Sequence, residues 1–268
     1  MSGEISYPKE KAGDVELPAK RAENETAEPE KEYGEMYTEF KQWGAQEFGE
    51  ISAREKADLA AIIRLAKKSI PAQSRVLEIG FGNGGALAYG RSRQWEMYGT
   101  EVNEVLLERA RSSGFSVLHA NELGSFRDSY FDLILVLDVL EHVPIENILE
   151  LLDQLKRIAK NDATIIARFP NGDSPFARFA QHGDPTHVTT FGKGKAAYYA
   201  RQAGLEIVAL RGEPQPLRVD FIHFCHRAVA NPIRSLLDLS LNLLFCPGGF
   251  RSLCSVNLVM VVRVLKAG

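Results

Sequence analysis

The chain has 268 residues, 45% of them hydrophobic and 25% charged, with a formal net charge of −3. Such a composition is that of an ordinary globular protein, long enough to bury one good core. The weak acidic balance excludes a nucleic-acid binder that works by bulk neutralisation of phosphates, and no nucleic acid is expected as a partner.

Residues 1–32 are rich in Glu, Lys, Pro and Ala and poor in large apolar side chains, so they are expected to be disordered. Residues 33–268 read as one domain. It opens with a helical cover over 33–70, in which Tyr33, Met36, Tyr37, Phe40, Trp43 and Phe48 precede a helix from about Ser52 to Ser69 that Pro71 closes. Val76, Leu77 and Ile79 form a buried strand, and glycines follow at 80, 82, 84 and 85. Glycine lets the chain turn tightly there and brings backbone N–H groups close to a ligand.

A helix over Ala86–Gln94 and a strand over Glu96–Thr100 come next, the strand ending in Glu101. Asn103 caps a helix to Arg111, and Gly114 sits where a C-terminal glycine belongs. Phe115–Leu118 is a third strand. Phe131–Leu137, nearly all apolar, reads as a central parallel strand. Pro144 opens a helix with Ile148, Leu151, Leu152, Leu155 and Ile158 on its core face. Ala163–Phe169 is a fifth strand, a turn-rich loop runs from Pro170 to about Phe191, a helix covers Lys193–Ala203, and Leu205–Leu210 is a sixth strand. Strands and helices alternating in this way predict an α/β fold with a doubly wound sheet.

A helical insertion over 212–254 interrupts the pattern before a last strand at Ser255–Leu265. Within it, 228–245 is an apolar helix that reads as packing over the sheet, a dimer contact, a lid, or a helix lying in a membrane interface. Cys225, Cys246 and Cys254 lack metal-ligand spacing and read as reduced thiols of a cytoplasmic protein, membrane-associated if the helix meets lipid. His223, Cys225 and His226 lack further well-spaced ligands, and no metal site is read from the sequence. No signal-peptide core opens the chain, and no unbroken apolar run is long enough to span a bilayer.

Gly80, Gly82 and Gly85 fit the G-x-G-x-x-G dinucleotide pattern, so the loop and Glu101 by themselves also admit an NAD(P)-linked oxidoreductase. Glu78 discriminates: a carboxylate inside the strand would repel a pyrophosphate but suits a ligand carrying an ammonium and a sulfonium. Glu78-x-Gly80-x-Gly82-x-Gly84 resembles the first motif of the class I S-adenosylmethionine-dependent methyltransferases, among them the bacterial enzymes with small-molecule, saccharide or quinone acceptors. The resemblance implies a Rossmann-like seven-stranded sheet with the last strand antiparallel and S-adenosyl-L-methionine as cofactor. Phe81 lies within the cofactor loop. Glu101 would take the ribose hydroxyls, Asn121 or Glu122 the adenine edge, and Asp138 the methionine end. The run from Phe131 to Val143 resembles the family's fourth-strand segment; His142 in it reads as a general base for a hydroxyl acceptor or, as in much of the family, as half of a Glu-His pair with a structural part at the cofactor's edge. Pro170-Asn171 followed by His187 and Phe191 resembles the family's acceptor loop, with His187 and Asp184 as further candidates for base or acceptor contact; loop bracing is the alternative for both.

The expected reaction is in-line methyl transfer to an oxygen of a small-molecule, saccharide or lipid-linked acceptor, which requires no metal. Besides the oxidoreductase, a non-catalytic module that keeps the fold is an alternative, opposed by the intact glycine loop and Glu101.

Overall fold

The computed structural model describes residues 34–43, 47–217, 220–246 and 251–266. The expectation for 1–32, and Tyr33 with it, lies outside the described residues. Seven strands form one sheet: β1 (Arg75–Ile79), β2 (Glu96–Glu101), β3 (Ser116–His119), β4 (Phe131–Leu137), β5 (Ala159–Pro170), β6 (Glu206–Gly212) and β7 (Asn257–Arg263), in the order β3-β2-β1-β4-β5-β7-β6. The first five pair in parallel, and β7 runs antiparallel to both β5 and β6. The expected Rossmann-like sheet with an antiparallel last strand is the one observed.

The helices are α1 (Glu35–Phe40), α2 (Ala53–Arg64), α3 (Gly85–Ser92), α4 (Glu104–Ser112), α5 (Ile148–Ile158), α6 (Arg178–His182), α7 (Lys193–Gln202) and α8 (Phe221–Phe245). They cover both faces of the sheet, and β4 shows why its sequence is apolar throughout. Ile134 and Val136 join α5 residues Ile148, Leu152, Leu155 and Ile158 in one core layer. Leu133 and Leu135 join Leu59 and Ile62 of α2 and Leu106 and Leu107 of α4 in the other. A strand with both faces buried has no polar alternation to show.

Local chemistry sets the helix ends. Ser52 and Glu55 form a reciprocal capping box at α2, and Asn103 accepts from the Leu106 N–H at α4. Gly114, just beyond α4, has φ +73°. Four elements differ most from the expected spans: α2 ends at Arg64 rather than near Ser69, and a 3₁₀ turn over Ile145–Asn147 separates Pro144 from α5. β5 starts at Ala159, because a register shift on β4 pairs Phe131 with Ala159 and Leu133 with Thr164. α8 starts at Phe221 because the Asp220 side chain caps it at the His223 N–H (2.9 Å), and it carries Pro232 inside.

Polar anchors hold α8. Arg227, 2% exposed, makes a forked pair with Asp58 of α2 at 3.0 and 3.2 Å and donates to the Pro216 carbonyl at 2.6 Å. Asn242 bonds the backbone of Arg251 in both directions. The apolar side chains Leu243, Leu244 and Phe245 are exposed. No described helix is long and apolar enough to cross a membrane.

Candidate active site

The strand order reverses between β1 and β4, and open α/β sheets bind ligands beyond the carboxyl ends of the strands at such a point. Leaving β1, Gly80, Gly82 and Gly84 all adopt positive φ (65°, 53° and 77°), and the Gly80 N–H donates to the Thr100 carbonyl at 2.7 Å. A side chain at any of these three positions would strain the backbone. Residues of the leading segment close over the loop: a Cβ on Gly82 would meet the Trp43 ring at 3.0 Å, and one on Gly84 would run into the Phe48 ring. Phe81 is 3% exposed and packs edge-on against Phe48, with ring centres 6.0 Å apart.

Glu101, at the end of β2, reaches back to this loop. Its carboxylate accepts from Gly82 N–H (2.9 Å), Val102 N–H (2.8 Å) and Asn103 N–H (3.3 Å). Glu78 is buried in β1 with Oε2 lacking a hydrogen-bond partner. Such an orphaned acceptor fits a ligand that brings a cationic donor. Beyond β3, Glu122 accepts from the His119 N–H (3.1 Å) and closes a capping box, while Asn121 lies exposed beside it. Asp138, at the tip of β4, has φ +56° and a forked ion pair with Arg168 of β5, which also reaches Glu213.

Past Asp138 the chain turns through a short 3₁₀ helix, Leu140–His142. The loop after β5 folds back onto it: Val188 and Thr189 N–H groups both donate to the Glu141 carbonyl at 2.9 Å. His142, Asp184 and His187 are thereby brought into one cluster. The His142 and His187 rings are 4.6 Å apart, and His187 Nε2 lies 3.8 Å from Asp184 Oδ2 and 3.9 Å from Glu141 Oε1. Asp184 also accepts from Thr186 N–H (3.0 Å), Thr186 Oγ1 (2.6 Å) and Tyr37 Oη (3.2 Å), and pairs with Lys41 (2.6 Å). It therefore braces the loop as well as facing His187. Glu141, Lys41, Thr186 and Arg168 belong to the site and are not singled out by the sequence; Tyr37 joins them from the leading cover, where the sequence reads it as packing or as a cofactor contact. Glu141 carries the one legible signal, an acid next to His142 between Leu140 and Val143.

Burial sets the charge states. It pushes the Glu78 carboxyl well above the usual carboxylate range, with the nearby Glu101 charge adding to the effect. It raises Glu101 too, against the three backbone N–H groups that favour the anion. Glu141 is pushed up to about 8 by burial and then by Asp138. His142 is pushed down to about 4 by burial and then by His187, so its ring is neutral at neutral pH. Burial also works against the Asp184 charge, but Lys41 and Thr186 hold its carboxyl below the usual range.

Glu78 yields a pH prediction. Its folded carboxyl titrates above its unfolded value, so the unfolded chain gives up the proton first as pH rises. Its contribution is full below the ordinary carboxylate range and is lost as pH climbs above it. Glu78→Gln is expected to flatten the fall in melting temperature between mildly acidic and mildly alkaline pH, and to raise stability at the alkaline end. Parallel thermal melts of the two proteins check this; identical pH profiles contradict it.

The profile of a methyltransferase domain family matches residues 50–210, more than half of the chain. The chain belongs to this methyltransferase family. S-adenosylmethionine is its expected cofactor, and the methyltransferase reading prevails over the oxidoreductase one. No curated protein sequence matches the chain. Among solved structures, a SAM-dependent methyltransferase from Archaeoglobus fulgidus is similar with a TM-score of 0.59 at 19% identity, over 87% of this chain and 96% of that one. One from Thermotoga maritima, described as a possible histamine N-methyltransferase, aligns with TM-score 0.54 at 17% identity over 88% and 99%. The [4+2]-cyclase SpnF aligns with TM-score 0.52 at 16% identity over 82% and 84%. These likenesses share a fold across different chemistries, so the acceptor must be argued from the site.

Proposed function

We propose that this methyltransferase acts on an oxygen of a small-molecule or saccharide-type acceptor, with His187 as proton acceptor. The observation that carries the reading is the cluster of His142, Asp184, His187 and Glu141 one turn beyond Asp138, at the carboxyl end of β4. Bound S-adenosylmethionine supplies a methyl group activated on a sulfonium. Glu78 and the glycine loop would hold its amino-acid end, and Glu101 its ribose. His187 Nδ1 lies 3.1 Å from the Gln181 carbonyl, which only accepts, so Nδ1 carries the hydrogen and Nε2 the lone pair. A proton taken from an acceptor hydroxyl at Nε2 would be stabilised by the carboxylate of Asp184, 3.8 Å away. Neutral His142 packs against that ring and adds no competing charge. The exposed apolar side of α8 supports the companion reading of a contact with a membrane surface or a second copy of the chain.

His187→Ala is expected to slow methyl transfer to a saccharide or other polyhydroxylated acceptor by about 10²–10⁴-fold, the usual worth of a general base. Cofactor affinity should stay within a few-fold. Transfer of isotope-labelled methyl, with the product mapped by nuclear magnetic resonance, makes the test. Label on nitrogen or carbon, or an unchanged rate in the variant, overturns the reading.

A further inference from the structure

We propose that Glu141, His142 and His187 form a binding site for one divalent transition-metal ion. One ligand atom from each lies within 4.8 Å of the others. Tetrahedral ligands held at about 2.0–2.2 Å from a common ion are about 3.3–3.6 Å apart, so side-chain closure by about 1.2–1.5 Å completes the set.

Both imidazoles are prepared as ligands. His187 turns its lone pair inward at Nε2, because its Nδ1–H is committed to the Gln181 carbonyl (3.1 Å). The Thr186 hydroxyl donates to Asp184 Oδ1 at 2.6 Å, so at 2.9 Å from His142 Nδ1 it acts as an acceptor. The Thr186 carbonyl, 3.3 Å from the same nitrogen, can only accept. His142 therefore also carries its hydrogen on Nδ1 and its lone pair on Nε2. An oxygen that accepts from the other ring nitrogen and so fixes the tautomer is the usual companion of a metal-bound histidine.

Glu141 supplies the third ligand. Glu141 is 1% exposed, and neither of its carboxylate oxygens has a hydrogen-bond partner. Other acids beside it are already balanced, Asp184 by Lys41 and Asp138 by Arg168. An ion ligated by Glu141 would satisfy these unpartnered oxygens and hold the group as a carboxylate. Two imidazoles and one carboxylate suit zinc-like ions and not magnesium, and they leave coordination positions open. Asp184 Oδ2, 3.8 Å from His187 Nε2, borders that opening. If the methyl-transfer reading holds, an acceptor hydroxyl bound there would be more acidic, a task that His187 otherwise performs as base.

The test is calorimetric titration of the chelator-treated full chain with Zn²⁺, with Mg²⁺ as the hard-ion control, in the absence of cofactor and acceptor. One Zn²⁺ per chain at micromolar affinity or tighter is expected, and no heat with Mg²⁺. Glu141→Gln and His187→Ala should each weaken Zn²⁺ by at least about 100-fold, whereas His223→Ala, on the exposed start of α8, should not. The Co²⁺-loaded protein should show a visible absorption band that Glu141→Gln abolishes, and S-adenosylmethionine affinity reports whether each variant is folded. Zinc binding retained in the Glu141 and His187 variants, binding lost only with His223, or no stoichiometric binding overturns the proposal. Those outcomes leave the methyl-transfer reading standing, because metal binding is read without turnover.

Discussion

Glu101→Ala is expected to abolish measurable S-adenosylmethionine binding and to lower the stability of the free protein by about 3 kcal/mol. Two losses combine. The carboxylate accepts from three backbone N–H groups, of Gly82, Val102 and Asn103, at a position only 8% exposed. Alanine leaves these donors without an acceptor, and it frees the glycine loop that Gly82 anchors. The same carboxylate is the group proposed to receive the ribose hydroxyls, and two hydrogen bonds to a charged acceptor are worth about 10²–10³-fold in affinity. Burial disfavours the Glu101 charge, so removing it gives back part of the cost. Glu101→Gln keeps the shape and one acceptor and should retain more stability than the alanine variant while still losing most of the cofactor affinity. Denaturant unfolding and calorimetry of the two variants separate the terms; wild-type affinity in Glu101→Ala would contradict the role given to this residue.

Gly84→Ala is the second large effect, expected to cost about 2–4 kcal/mol and to lower the melting temperature by about 5–15 °C. Its φ of +77° lies where a Cβ collides with its own backbone, and that Cβ would also enter the Phe48 ring. Phe48 cannot simply yield, since it packs edge-on against Phe81 and Phe115 with ring centres 6.0 Å away in each case. Gly124→Ala is the matched control: nothing lies within 4 Å of its added Cβ, and its melting temperature should not move. Adding Phe48→Leu to Gly84→Ala should recover the steric part of the loss and leave the backbone part. Equal melting temperatures for the Gly84 and Gly124 variants would refute this account of the loop.

What the sequence reveals follows from what is local in the chain. The glycine loop, Glu78 inside β1, the cap at Asn103 and the all-apolar β4 are each written in a few consecutive residues. The sheet order follows from how such units connect. The acceptor-side cluster is different, because it depends on a loop folding back. Val188 and Thr189 reach the Glu141 carbonyl, and that contact carries His187 to His142. Neither histidine has a neighbour in sequence that marks it as a ligand, and the burial of Glu141 shows only once Leu140 and Val143 have turned inward. Arg168 reads as an interruption of an apolar strand and is the partner of Asp138. The limits of α8 are hidden for another reason. Its apolar side chains suggest packing against the sheet, yet its buried residues are Arg227 and Asn242, and its exposed ones include Leu243, Leu244 and Phe245.

Titration of the purified full chain with S-adenosylmethionine, S-adenosylhomocysteine and NADH tests the central claim most directly. One molecule of either adenosyl ligand per chain, bound at micromolar strength or about −8 kcal/mol, with no heat from NADH, is the predicted result. Binding of NADH in place of the adenosyl ligands, or of none of the three, would contradict the reading of Glu78, the glycine loop and Glu101 as a methyl-donor site.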